Sequence, residues 1–144
     1  MRNPTKRQVQ KVIDIFETVQ KLADNNLENP VDMREGQVFT HCGSPMCHAG
    51  WFEAALQKSK NTTNYSFTNY EHGAQKMAEI LGFKSKNDLE MWAHYNPDIW
   101  GNQNGSFMFS FYGAFEFKNG NKPKRFTLRH IISHWKKVQK RLPR

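Results

Sequence analysis

Cysteine is scarce in this chain of 144 residues, with Cys42 and Cys47 the whole complement. Two thiols are too few for the disulfide framework of a small secreted scaffold. Long apolar runs are missing as well: none approaches the roughly 18–20 residues that a membrane span needs. The opening Met1-Arg2-Asn3-Pro4-Thr5-Lys6-Arg7 leads into an amphipathic segment, not the unbroken apolar stretch of a signal peptide. A soluble, cytoplasmic protein is therefore expected, without a membrane role. Familiar catalytic templates are absent too. There is no phosphate-binding Gly-Lys-Ser/Thr loop, no Gly-x-Gly-x-x-Gly and no His-Glu-x-x-His, and the carboxylates are scattered with no evident acid/base pair. The enzyme class is the less expected one, and no cofactor is called for.

Aromatic residues offset the thin aliphatic content. Hydrophobic residues make up only 38% of the chain, but 13% is aromatic, with eleven Phe and four Trp. Each such ring buries a large apolar area, so an aromatic-rich core is expected. The length suits one domain, residues 1–144, and no internal repeat or long linker divides it.

Hydrophobic spacing predicts a mainly α fold of about five helices. Thr5 caps a first helix to about Asp24, with Val9, Val12, Ile13, Phe16, Val19 and Ala23 as its apolar stripe. Ser44-Pro45 opens a second, to about Lys58, burying Met46, Ala49, Gly50, Trp51 or Phe52, and Leu56. A third starts near Thr68, turns Ala74, Met77, Ala78 and Leu81 inward, and stops at Gly82. Ser85 opens a short fourth through Leu89, Met91, Trp92 and Tyr95, which Asn96-Pro97 closes. Thr127 caps the last, whose stripe is Leu128, Ile131, Ile132, Trp135, Val138 and Leu142. Between the last two, Phe107, Phe109, Phe111, Phe115 and Phe117 alternate at period two, which predicts a short β-hairpin around 106–118. An aromatic-anchored irregular loop is the other reading of that stretch, and its rings serve either as packing or as base-stacking surface.

The densest chemistry lies in His41-Cys42-Gly43-Ser44-Pro45-Met46-Cys47-His48-Ala49-Gly50-Trp51. Cys42 sits just before a helix cap and Cys47 in its first turn, where the helix dipole and free N–H groups lower a thiol's pKa. With His41 and His48 as flanking bases, a thiol nucleophile or redox pair is one reading, and two small buried side chains at a tight turn are the plainer one. Cys42 and Cys47 with His130 and His134 also form a zinc-type donor set, two thiolates and two imidazoles. The plain alternative puts both histidines on the helix flank beside its basic face. The Cys42…Cys47-His48 spacing has the form of an expanded c-type haem site, but that attachment needs an export signal.

This segment resembles the Cys-Gly-(Thr/Ser)-x-x-Cys-x-x-Gly-(Trp/His) pattern of a group of small uncharacterised proteins from bacteria and their phages. Asp32-Met33 before it matches that pattern, as do Gly73-Ala74 through Ala78 to Leu81-Gly82, Met91-Trp92, Asn96-Pro97-Asp98-Ile99-Trp100 and a closing helix. The likeness covers roughly residues 8–142, leaving aside the Phe-rich stretch and the basic tail. It implies the helical architecture and suits a phage or mobile-element origin, but it brings no activity with it.

Charge is the remaining signal. Ten of the 21 Lys and Arg lie in residues 118–144, and no Asp or Glu follows Glu116. The other 117 residues carry 11 cations against 13 carboxylates, so the whole excess of +8 comes from one end. Lys122, Lys124 and Arg125 precede the last helix, and Arg129, Lys136, Lys137, Lys140 and Arg141 lie along it, off its apolar stripe. Rigidly presented cations suit a polyanion such as nucleic acid, or an acidic protein surface. The plain alternative is a solvated helix face. No helix-turn-helix or RNA-recognition signature supports base-specific reading. The expectation is a small basic binding module; a thiol- or metal-dependent enzyme centred on Cys42, Cys47, His48, His130 and His134 is the competing class.

Overall fold

A computed structural model describes residues 2–21, 48–57, 67–101 and 128–143. These residues form six helices and no strand: α1 Lys6–Gln20, α2 His48–Gln57, α3 Phe67–Ile80, α4 Lys86–Tyr95, α5 Pro97–Trp100 and α6 Leu128–Arg141. The expected hairpin at 106–118 lies outside the described residues, as do the proposed caps at Ser44 and Thr127.

Local chemistry sets the helix ends. The Thr5 hydroxyl accepts from the Gln8 backbone N–H at 3.1 Å, and the Gln8 side chain accepts from the Thr5 N–H at 2.8 Å. Two otherwise orphaned donors are thereby satisfied at the start of α1. Ser85 caps α4 through the Asp88 N–H at 3.3 Å. Gly82 ends α3 at φ +89°, a left-handed conformation open to glycine at little cost. The Gln75 side chain then clamps the α3–α4 turn, donating to the Lys84 carbonyl and accepting from the Lys86 N–H.

The helices pack around one apolar core. Val9, Val12, Ile13, Phe16 and Val19 of α1 are buried, and so are Leu128, Ile131, Ile132, Trp135 and Val138 of α6. These two stripes face each other as α1 and α6 pack together. They run antiparallel: Gln139 reaches Lys6 and Gln10 near the start of α1, whereas Lys136 reaches Glu17 near its end. Helix α2 lies against α1 and α3, and α4 against α3. Trp51 and Phe52 are both inside. The short helix expected through Leu89, Met91, Trp92 and Tyr95 is α4; Leu89, Trp92 and Ala93 form its buried stripe, and Met91 and Tyr95 are exposed. Asn96-Pro97 does not simply close α4. Pro97 takes the first position of α5, where its missing N–H costs nothing, and the turn carries Ile99 and Trp100 into the core.

Helices α2 and α3 approach closely at Gly73. A Cβ built there would stand 2.6 Å from the Ala49 carbonyl oxygen and 3.2 Å from the Glu53 Cβ. Backbone of a packed helix cannot swing aside as a long side chain can. Gly73→Ala is therefore expected to destabilise the fold by about 1–3 kcal/mol, measured as a lower urea midpoint. Unchanged stability would mean that α2 and α3 can separate freely.

Candidate binding face and buried histidine cluster

The basic residues of α6 follow from its buried stripe. With Ile131, Trp135 and Val138 inside, Arg129, Lys136, Lys137, Lys140 and Arg141 fall on the outer face and are exposed. Lys140 and Arg141 also sit in the last turn, where the helix dipole favours cations. Lys136 Nζ lies 3.1 Å from Glu17 Oε1 on α1, and Arg141 donates to the Ile99 carbonyl at 3.2 Å. Lys137 and Lys140 have no carboxylate within ion-pair distance among the described residues. Lys122, Lys124 and Arg125 lie outside the described residues.

The histidines depart from expectation. His134 is not on the flank of α6 but buried against Trp100, ring centroids 4.5 Å apart in an edge-to-face arrangement. His130 is partly exposed. His48, the first residue of α2, is fully buried and stacks on Phe16 at 5.5 Å. The Trp135 indole N–H donates to His48 Nε2 at 3.0 Å, so neutral His48 carries its proton on Nδ1. Trp100 packs edge-on to Trp135 at 5.2 Å and completes the cluster. Desolvation holds the His48 pKa well below its ordinary value, with His134 adding to the effect. Burial likewise pushes His134 down to about 3, helped by the charges of Arg141 and Lys137. Both imidazoles are thus neutral at physiological pH, built into the packing between α1, α2, α5 and α6.

This bears on the thiol and metal readings. Cys42 and Cys47 lie outside the described residues. Among the described residues, no three His, Cys, Asp or Glu side chains come together as a metal site would require. The Nε2 lone pair of His48 already accepts the Trp135 hydrogen bond, so that atom is not offered to a metal or a thiol.

A second polar pair escaped sequence reasoning. Glu53 on α2 is buried, and its Oε2 lies 2.6 Å from His72 Nδ1 on α3, while Gln57 donates to Oε1 at 2.8 Å. The Glu53 side chain is 5% exposed and that of His72 54%. The hint was there: Glu53 is the single charge in the otherwise apolar Ala49–Leu56 run. His72→Ala is expected to cost about 1–3 kcal/mol, because it strips a buried acceptor of its partner. Adding Glu53→Leu should restore much of that loss in chemical denaturation, since no polar group is then left behind. A double variant weaker than His72→Ala would show that the carboxylate is needed for more than this pair.

Comparison with models of protein families, with curated proteins and with solved structures finds no match to this chain.

Proposed function

We propose that the protein is a small binding module that holds a nucleic acid, as a polyanion, on the basic face of α6 and the segment before it. One observation carries the reading: ten cations and no carboxylate occupy residues 118–144. The part of that set on α6 is turned outward by a buried apolar stripe. Fixed cations on a rigid helix neutralise phosphates at a low entropic cost and release condensed counterions. Base-specific readout is not part of the proposal, since phosphate contacts position a chain without reading it.

The fold chooses the variant for the test. Lys136 and Arg141 have tertiary contacts, so Lys137 and Lys140 are the informative pair. Fluorescence anisotropy with a labelled oligonucleotide in low salt should show Lys137→Gln/Lys140→Gln binding about tenfold more weakly than the unaltered protein. Lys11→Gln/Lys21→Gln, at exposed positions on α1 and at its C-cap, should bind almost normally. No binding by the unaltered protein, or equal loss in both variants, would overturn the proposal, and would leave an acidic protein surface as the partner for this face.

A further inference from the structure

Three stretches distant in sequence meet at one end of the helix bundle. The antiparallel packing of α1 and α6 puts the first residues of α1 beside the last of α6, with Gln139 donating to the Lys6 carbonyl at 2.9 Å. The indole of Trp92 on α4 donates to Asn3 Oδ1 at 2.9 Å, which ties the last turns of α4 to the segment before α1. Arg141 donates to the carbonyl of Ile99 in α5, directly after α4. Arg2, Lys6, Arg7, Lys140 and Arg141 are therefore gathered at this end, and all are exposed. Asp98 of α5 is an exposed carboxylate at the same end, and leaves the local balance positive.

Tyr95, in the last turn of α4, lies between the two residues tied to this end, Trp92 and Ile99. It is 71% exposed, a large apolar side chain left outside a core otherwise built on aromatics. It lies one turn beyond Trp92 on the same helix and packs edge-to-face with His94, ring centroids 5.1 Å apart. In an edge-to-face pair His94 can cover at most one face of the Tyr95 ring, and the other is left for a flat partner. Met91, one turn earlier on the same side, is 48% exposed and extends the apolar strip. An exposed aromatic ring at the same end of the bundle as these cations matches the two needs of an unpaired nucleotide, stacking for the base and charge for the phosphate. A duplex, whose bases are already stacked, offers the ring nothing.

We infer that Tyr95 is a stacking platform for an unpaired base, so that the nucleic acid held at this end is single-stranded. The inference rests on the basic-face reading above and narrows it. The test compares a labelled thymine-only oligonucleotide with a mixed-sequence duplex of equal length, by anisotropy at fixed low salt. The unaltered protein should bind the single strand more tightly. Tyr95→Ala should weaken single-strand binding about tenfold and leave duplex binding unchanged, and Tyr95→Phe should behave as the unaltered protein. Circular dichroism should report the same helix content for all three, since the side chain is exposed. Single-strand binding unaffected by Tyr95→Ala, or a preference for the duplex, would overturn this inference and leave the basic-face proposal standing. Binding of neither strand form would overturn both.

Discussion

Between pH 7 and pH 5 the protein is expected to lose on the order of 3–4 kcal/mol of folding stability. The cause is the pair of neutral imidazoles in the core. Burial lowers the folded-state pKa of His48, and places that of His134 at about 3, whereas the unfolded chain titrates both near 6.5. Below that value the unfolded chain binds protons that the folded core refuses. Stability from these two groups is thus fully present above pH 6.5 and is lost as pH falls toward the folded pKa values, about 1.4 kcal/mol per pH unit for each. Among the described residues, Phe16 of α1, Trp100 of α5 and Trp135 of α6 face the imidazoles, and the charges felt by His134 are the cations Arg141 and Lys137. Glu90 works in the opposite sense, since desolvation raises its pKa against a smaller lowering by Lys86. It is only partly buried, a single group against two buried imidazoles, so it does not reverse the trend. Urea unfolding followed by helix signal at the two pH values measures the loss. His134→Phe, which keeps a ring against Trp100, should remove about half of the dependence. Equal stability at pH 7 and pH 5 would show that the imidazoles have access to water or to a counterion.

Much of the fold was legible because helix signals are local. Thr5, Ser85 and Gly82 act where their residue types and spacing place them, and the stripes of α1 and α6 are buried as read. The misses have physical causes. Pro97 read as a stop, but after an N-cap residue a proline equally begins a helix, and only the packing of Ile99 and Trp100 decides. Hydrophobicity alone does not separate the faces of α4: Leu89, Trp92 and Ala93 fill the stripe that a helix of ten residues can bury, and Met91 and Tyr95 are left outside. His134 lies three residues after Ile131 and four before Val138, so the period placed it inside while its polarity argued for the flank; packing against Trp100 prevailed. Partners across the chain are a different matter. His48 and Trp135 are 87 residues apart, Glu53 and His72 are 19 apart, and no local pattern announces either pair.

The basic face of α6 was legible from charge alone, and the fold refines it. Sequence offered Lys136, Lys137, Lys140 and Arg141 as equivalent. Their contacts divide them into two that brace the bundle and two turned outward. Substituting all four would mix lost binding with lost bracing between α6 and its neighbours, which is why the smaller variant is the cleaner probe.

The salt dependence of affinity tests the central claim most directly, because it counts phosphate contacts without requiring a particular sequence. If α6 and its neighbouring cations contact about four phosphates of a single strand, the logarithm of the association constant should fall with the logarithm of salt at a slope near −3. Affinity for a labelled oligonucleotide would then drop by roughly 50-fold between about 50 and 200 mM salt. Lys137→Gln/Lys140→Gln should make that slope shallower by about one to two units. A slope near zero, or one that the double substitution leaves unchanged, would contradict the account: whatever this chain binds would then not be a polyanion held by the outer face of α6.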